Sequence, residues 1–392
     1  MPSPPPLDTI EDILATAAID EAFSAALQSS HLQPGSSYTL ADIKQGAAAG
    51  REAFQKRLSD SRPREITETE HSIRLRDDWA CRIIVCHLTA DIQANAAPPP
   101  PPPPPPPRPL ILLLHGGGHT IGYPELQLGL ARELVLAHSA VVVCSSYRLA
   151  PEFPFPFSIC DSWEVLQFCA RENRKSNSAI LPRCTDARVG FLVGGESAGA
   201  NLAASLAHLA RDHNLNPPLT GQVLMAGMYI SPTCVPERYT ARYLSREQNA
   251  DAPILDRHLL KLMTDAFKPD PASKLCYPFD QHDPRDAGEA ADGAAAGATG
   301  GATEGRVSVK HGHLGVAPAY FQVCGLDPAR DDGLIYEKVL REECAVPTRL
   351  DLYSGWAHCW WAMFPDLDMS RRRMREAVEG VGWLLILGKD RK

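Results

Sequence analysis

Residues 189–204 read VGFLVGGESAGANLAA and contain the most informative motif of the chain. An apolar run ends at Gly195-Glu196-Ser197-Ala198-Gly199, and a stretch rich in small helix-forming residues follows. A Gly-x-Ser-x-Gly sequence between a strand and a helix is typical of a strained turn that exposes the serine hydroxyl at the carboxyl edge of a sheet. The simpler interpretation is a strand-to-helix turn with a serine cap. The flanking strand and helix favour Ser197 as a nucleophile.

A serine hydroxyl is a weak nucleophile unless a base accepts its proton and a third group orients that base. In sheets of this kind the acid and then the histidine follow the serine along the chain. His358 is the one histidine beyond the last predicted strand, so we predict that it is the base. Asp327 follows the strand before it and is the predicted acid. Asp331 and Asp332 are the alternatives, which we interpret as N-caps of the next helix, favoured by its dipole.

A second glycine-rich segment follows another apolar run, because residues 110–122 read LILLLHGGGHTIG. Acyl transfer places negative charge on a carbonyl oxygen, and preorganised backbone N–H groups stabilise that charge. Glycines let successive N–H groups point to one place without an intervening side chain. We therefore predict that Gly116, Gly117 and Ala198 form an oxyanion hole. The simpler alternative is that the glycines only form a tight turn.

Short apolar strand candidates alternate with amphipathic helix candidates, which predicts an α/β fold with a mostly parallel sheet flanked by helices. The predicted strands are 82–88, 110–114, 141–146, 189–194, 222–230, 319–324 and 348–353. The predicted helices are 125–137, 158–172, 198–212, 256–267, 333–343 and 371–386. Before this alternation, IEDILATAAIDEAFSAAL and LADIKQGAAAGREAF predict two helices packed over one end of the sheet.

Composition excludes several function classes. The formal net charge is −8 over 392 residues, without a dense Lys/Arg block, which argues against a nucleic-acid or anionic membrane partner. We predict no membrane span, since no apolar run is long enough, and the acidic, Pro-rich N-terminus predicts a cytoplasmic protein. The eleven cysteines lack a Cys-x-x-Cys pair, and His311 and His313 lack acidic or cysteine partners at ligand spacing, so we expect no metal.

Five segments together resemble the hormone-sensitive-lipase-like branch of the α/β-hydrolases, in the family's order over about residues 70 to 390. They are His115-Gly116-Gly117-Gly118, Tyr147-Arg148-Leu149-Ala150-Pro151-Glu152, Gly195-Glu196-Ser197-Ala198-Gly199, Asp327-Pro328 and Gly355-Trp356-Ala357-His358. The resemblance implies an α/β-hydrolase fold with an eight-stranded, mostly parallel sheet, a helical cap, and hydrolysis of carboxylic esters without a metal or organic cofactor. It implies catalytic roles for Ser197, Asp327 and His358 and oxyanion roles for Gly116, Gly117 and Ala198. His115 and residues 147–152 are expected to be structural.

The predicted domain organisation follows from this resemblance. Residues 1–62 form an N-terminal helical cap segment, and 63–392 form the catalytic domain with a second cap segment at 234–275. Two insertions interrupt the catalytic domain. The polyproline insertion at 98–109 is expected to be an exposed spacer that either binds an SH3 or WW domain or has no partner. The Gly/Ala-rich stretch 283–312 is expected to be a flexible surface loop.

The sequence departs from the family pattern beside the predicted site. His119 stands where a bulky apolar residue is usual, and we expect it either to hydrogen-bond an oxygenated substrate or simply to face the cap. Cys359-Trp360 replaces the common Gly-Phe after the histidine. Trp356, Trp360 and Trp361 are expected to line the substrate pocket or to belong to the core of the last loop.

The sequence is compatible with three functions. The first is a serine carboxylesterase that forms an acyl-enzyme on Ser197 and acts on a small-molecule ester. The second is a specialised hydrolase in secondary metabolism that removes an ester, lactone or acetyl group. The third is a ligand-binding receptor on the same fold, which the presence of His358 disfavours.

Overall fold

The computed structural model describes residues 7, 9–30, 38–90, 106–175, 178–279 and 312–390. Within these ranges one eight-stranded sheet has the order β1-β2-β4-β3-β5-β6-β7-β8. The strands are β1 (Ile66–Arg74), β2 (Ala80–Leu88), β3 (Leu110–Leu114), β4 (Val141–Ser145), β5 (Phe191–Glu196), β6 (Gly221–Met225), β7 (Ala319–Leu326) and β8 (Thr348–Ala357). The pairs β1·β2 and β2·β4 are antiparallel, and the other neighbours are parallel.

Both faces of the sheet are buried, as the unbroken apolar strands predict. Leu110, Leu112 and Leu114 of β3 pack into one hydrophobic cluster, whereas Ile111 and Leu113 pack into a second cluster on the opposite face. Helices cover the two faces, so the predicted α/β fold is confirmed.

The α-helices within the described ranges lie before, between and after the strands. They are α1 (Ile10–Ala15), α2 (Glu21–Ser29), α3 (Leu40–Asp60), α4 (Leu128–His138), α5 (Phe157–Glu172), α6 (Ala198–Asp212), α7 (Ser245–Gln248), α8 (Arg257–Phe267), α9 (Arg330–Lys338) and α10 (Asp368–Asp390). None of the helices in these ranges is long and apolar enough to cross a bilayer.

Two local expectations are wrong. The first predicted helix is divided into α1 and α2, because the Asp20 carboxylate accepts hydrogen bonds from the Ala22 and Phe23 amides and starts a new helix. β1 was not predicted at all. Its sequence, ITETEHSIR, buries only Ile66 and Ile73 and therefore lacks an apolar pattern.

The N-terminal helices contact the elements that follow the carboxyl ends of the strands. Between α1 and α2, the Thr16 carbonyl accepts a hydrogen bond (2.7 Å) from the amide of Gly355, near the end of β8. In α3, the Lys44 ammonium binds the Glu152 carboxylate at 2.6 Å. The boundary at residue 62 stays a prediction. Residues 98–105 of the polyproline insertion and 283–311 of the Gly/Ala-rich loop lie outside the described residues.

Candidate active site

The turn between β5 and α6 holds Ser197 in a strained backbone conformation, with φ 53° and ψ −120°. A Cβ atom on Gly195 would lie 2.4 Å from the Leu114 carbonyl oxygen, and one on Gly199 would lie 2.1 Å from the same oxygen. Only glycine therefore allows β3 and α6 to approach the turn this closely. The Ser197 amide donates to the Met225 carbonyl (2.8 Å), which ties the turn to β6.

The structure brings Ser197, His358 and Asp327 together in one hydrogen-bonded chain. His358 Nε2 lies 2.8 Å from Ser197 Oγ, and His358 Nδ1 lies 2.7 Å from Asp327 Oδ2. Asp327 is fully buried, and its second oxygen accepts the Ala329 amide at 2.8 Å. This geometry lets a carboxylate orient an imidazole whose other nitrogen can accept the serine proton.

The alternative acids have other partners, and the N-cap interpretation of Asp331 and Asp332 is wrong. The N-cap of α9 is Ala329, and both aspartates lie inside the first turn. The Asp331 carboxylate accepts the amides of residues 244 and 245, while the Asp332 carboxylate accepts those of residues 229 and 230. Both carboxylates therefore fix the segment that follows β6, because they satisfy its buried amides.

The glycine loop after β3 (residues 115–118) lies against the turn that holds Ser197. A Cβ atom on Gly116 would lie 3.3 Å from Ser197 Cβ, and Gly117 has φ +110°, a conformation that favours glycine. The amides of Gly116, Gly117 and Ala198 donate no hydrogen bond within the described part of the chain. Three amides without internal acceptors beside a serine hydroxyl are suited to bind a developing oxyanion.

The residues expected to be structural support this glycine loop. His115 Nδ1 lies 2.8 Å from the Gly116 carbonyl oxygen, and the His115 ring stacks on Tyr147 at 4.3 Å between centroids. The Tyr147 hydroxyl donates to the His115 carbonyl at 2.8 Å. Burial lowers the pKa of His115 to about 4, so the ring is neutral at pH 7. Arg148 binds the buried Asp161 carboxylate through two guanidinium nitrogens.

A largely apolar pocket with a cavity volume of about 70 Å³ opens beside Ser197. Its walls combine the glycine loop, α6 and one face of α8. The α8 side of the pocket is formed by Leu260, Met263, Thr264 and Phe267. These four residues were not predicted to contact substrate, because α8 meets the glycine loop only in the tertiary structure. His119 lines the same pocket as Ser197.

The prediction that Trp356 and Trp360 line the pocket is wrong. Both indoles are buried in the core cluster beneath β8, where Trp356 packs on Phe23 at 5.2 Å between ring centroids and Trp360 packs on Tyr353 at 5.0 Å. Neither side chain is among those that line the pocket beside Ser197. Large aromatic side chains that follow a buried strand fill the core, and the sequence offered that alternative.

Trp361 has a role that the sequence did not suggest. Its indole Nε1 donates to the Glu196 carboxylate at 2.9 Å, and Glu196 directly precedes Ser197. The buried Arg373 guanidinium lies 4.0 Å above the Trp361 ring, a cation–π contact. Because Trp361 follows His358 by three residues, this hydrogen bond joins the turn that holds Ser197 to the loop that carries His358.

The two histidines considered as a metal site are His311 and His313. His311 lies outside the described residues, and His313 Nδ1 lies 2.9 Å from His208 Nε2. Within the described ranges, no group of three or more histidine, cysteine, aspartate or glutamate side chains is arranged to hold a metal ion.

Comparison with known proteins agrees with this geometry. Residues 111–362 match the model of a family described as having the alpha/beta hydrolase fold. An AB hydrolase superfamily protein of Schizosaccharomyces pombe is 30% identical over 245 residues, 62% of either chain. A versiconal hemiacetal acetate esterase of Dothistroma septosporum is 27% identical over 69% of this chain and 72% of its own. A carboxylesterase of Mycobacterium tuberculosis is 32% identical over 58% of either chain.

The chain thus spans about three fifths to seven tenths of the length of these curated relatives. Among solved structures, vibralactone cyclase superposes with a TM-score of 0.76 at 24% identity, covering 95% of this chain and 97% of its own. A bacterial heroin esterase superposes with a TM-score of 0.67 at 22% identity, covering 94% and 98%. These two similarities support the fold. With the family match and the motifs at its centre, the chain belongs to the hormone-sensitive-lipase-like branch of the α/β-hydrolase family.

Proposed function

We propose that this protein is a serine carboxylesterase that hydrolyses a small-molecule ester through an acyl-enzyme on Ser197. The observation that carries the proposal is the hydrogen-bonded chain from Asp327 through His358 to Ser197, with distances of 2.7 and 2.8 Å. Three amides without internal acceptors and an apolar pocket lie beside it. Several relatives are named esterases, which agrees with this chemistry.

The proposed reaction has two halves. Ser197 Oγ attacks the ester carbonyl while His358 Nε2 accepts the hydroxyl proton, and the amides of Gly116, Gly117 and Ala198 bind the tetrahedral oxyanion. The tetrahedral intermediate collapses, and the alcohol leaves with the proton that His358 holds. Water then attacks the acyl group as His358 accepts its proton, and the acid departs as His358 returns that proton to Ser197 Oγ. Throughout the reaction, the Asp327 carboxylate accepts a hydrogen bond from His358 Nδ1–H. Its negative charge stabilises the imidazolium form of His358.

A second candidate is a specialised hydrolase that acts on the ester, lactone or acetyl group of one metabolite. Two relatives named versiconal hemiacetal acetate esterase favour this candidate. Met263 and Phe267 of α8 narrow the pocket, which would select substrate by shape while the chemistry stays fixed. The receptor hypothesis is weaker, because His358 is present and bonded to Ser197.

Hydrolysis of p-nitrophenyl esters from acetyl to palmitoyl tests the proposal. Ser197→Ala is expected to lower kcat by about 10⁴ to 10⁶ with the fold intact, since the acyl group then has no attachment point. Ser205→Ala is the matched control, because Ser205 lies on α6 and its buried hydroxyl has no partner among the described residues. Turnover that survives in Ser197→Ala would exclude the acyl-enzyme mechanism.

The acyl-chain series also separates the two candidates. A general esterase is expected to accept several short or medium chains at similar kcat/KM. A specialised hydrolase is expected to turn over these simple esters slowly, because they fill only part of a pocket shaped for another molecule.

A further inference from the structure

His119 is held in an unusual position at the pocket wall. Its backbone has φ +58°, and two of the glycines before it, Gly117 and Gly118, also have positive φ. The His119 carbonyl accepts the Ala150 amide at 2.8 Å, which fixes this turn to the segment after β4. A side-chain-bearing residue in the left-handed region costs conformational energy, and such residues concentrate at functional sites.

The His119 ring is fixed on two sides. One face stacks on Phe267 of α8, with centroids 3.9 Å apart and planes 7° from parallel. Its Nδ1 lies 3.2 Å from the hydroxyl of Ser158, a buried residue at the start of α5. The ring can therefore neither rotate nor withdraw without breaking these contacts.

The partner of Nδ1 determines which ring nitrogen carries the hydrogen. Within the described part of the chain, His119 Nδ1 is the one hydrogen-bond partner of the Ser158 hydroxyl. A buried hydroxyl hydrogen without an acceptor costs about 1–3 kcal/mol, so Ser158 donates and Nδ1 accepts. Burial lowers the pKa of His119 to about 3, which keeps the ring neutral at pH 7. The remaining hydrogen is then on Nε2.

His119 Nε2 has no hydrogen-bond partner among the described residues, and it is not enclosed as His115 Nε2 is. Because His119 lines the pocket that also contains Ser197, this N–H group is available to a bound molecule. Methionine, leucine and phenylalanine side chains form part of the surrounding surface, and Asn201, Thr264 and Tyr277 add polar groups to the same pocket. Because none of these polar groups bonds Nε2 and the apolar neighbours offer no acceptor, the donor gains from an acceptor on the substrate.

We propose that His119 is a specificity-determining residue that donates a hydrogen bond from Nε2 to an oxygen of the substrate. The preferred ester accordingly carries a keto, ether or hydroxyl oxygen in its acyl or alcohol part, beyond the ester group itself. This inference rests on the proposed function and adds a substrate class to it. The sequence left two expectations for His119, a hydrogen bond to substrate or a position facing the cap, and the inference favours the hydrogen bond. The stack on Phe267 holds the His119 ring in place for it.

Isosteric pairs of esters test the inference. Each pair replaces one methylene by oxygen, such as p-nitrophenyl butanoate with methoxyacetate, pentanoate with 3-methoxypropanoate, and alkyl acetates with acetates of ether alcohols of equal length. Each kcat/KM is divided by the rate constant for alkaline hydrolysis of the same ester, which removes intrinsic reactivity. We expect the wild type to favour at least one oxygenated ester by about five- to tenfold, the effect of one neutral hydrogen bond.

Variants then assign the preference to His119. His119→Phe keeps an aromatic ring for the Phe267 stack but has no donor, so the ratio for the favoured pair is expected to fall to about one. His119→Gln supplies an amide N–H and should restore part of it, and Ser158→Ala should lower it because Nδ1 loses its donor. Ser162→Ala is the matched control, since its hydroxyl donates to the Ser158 carbonyl one turn along α5.

The measured ratios distinguish failure of the His119 inference from failure of the proposed function. A wild type without preference for any oxygenated ester, or a preference that persists in His119→Phe, would overturn the inference while Ser197-dependent hydrolysis leaves the proposed function intact. Absence of Ser197-dependent hydrolysis across the whole panel would overturn the proposed function and the inference with it. Should His119→Phe fail to fold by circular dichroism, the ratios in Ser158→Ala and His119→Gln decide.

Discussion

Asp327, which follows β7, and Asp332, in the first turn of α9, have different roles, which substitution can separate. Asp327→Asn removes the carboxylate that orients His358, so we expect kcat to fall by about 10⁴ with little loss of stability. Asp332→Asn leaves the Arg246 guanidinium, 3.1 Å away, without its buried anion and should lower the free energy of unfolding by about 3–5 kcal/mol. Kinetics and urea denaturation of both variants measure this. Equal kinetic effects would contradict the assignment of Asp327 as the acid.

Single residues were predictable where chemistry constrains them and unpredictable where packing does. The structure brings Ser197, Asp327 and His358 together, and chain order and strand ends had restricted the choice to these residues. Trp356 and Trp360 were placed wrongly, since their distance from His358 along the chain does not reveal which side of the loop they face. The role of Trp361 depends on Glu196, 165 residues earlier, and no sequence pattern signals that hydrogen bond.

The helix α6 approaches β3 closely because its first turn contains Gly199, which has no side chain. Gly199→Ala places a methyl group 2.1 Å from the Leu114 carbonyl oxygen, so we expect the turn to shift and both kcat and the melting temperature to fall. Gly50→Ala in α3 is the control, because a Cβ atom there meets nothing within 4 Å. It should stabilise the protein by up to about 1 kcal/mol through helix propensity. Full activity in Gly199→Ala would show that the turn does not need this close approach.

The hydrogen bond from Trp361 to Glu196 joins the loop after β8 to the turn between β5 and α6. Trp361→Phe removes the donor and should lower kcat on the order of ten- to a hundredfold with little change in KM, because the nucleophile and the base lose alignment. Trp360→Phe is the matched control, since Trp360 Nε1 has no partner within the described ranges. If both variants lose kcat equally, the effect is loss of packing and the hydrogen bond has no positioning role.

Elements were predictable where burial is uniform. The apolar runs of β3, β4 and β5 and the helices between them follow from burial on both faces. β1 escaped prediction because most of its side chains stay partly exposed at the sheet edge. The approach of α8 to the glycine loop could not be predicted from sequence either, because it brings Met263 next to Gly118, 145 positions away in the chain.

The whole molecule buries neutral histidines, which makes its stability depend on pH. Burial lowers the pKa of His115 and His208 to about 4 and that of His119 to about 3. Between those values and the unfolded pKa of about 6.5, the unfolded chain binds more protons than the folded protein, so stability falls as pH falls. We expect the free energy of unfolding to change little from this cause above pH 7 and to decline from about pH 6.5 towards pH 5. Urea denaturation at a series of pH values checks this, and equal stability at pH 7 and pH 5 would contradict it.

The central claim is that Ser197 carries the acyl group during turnover. The most direct measurement mixes the enzyme with excess p-nitrophenyl acetate, records the release of nitrophenol, quenches the reaction in acid within the first turnover, and maps the peptides by mass spectrometry. We expect a burst that approaches the enzyme concentration where deacylation is slow, and one acetyl group on the peptide containing Ser197. Turnover with acetyl on another residue, or with no acetylated Ser197 in rapidly quenched samples, would contradict it.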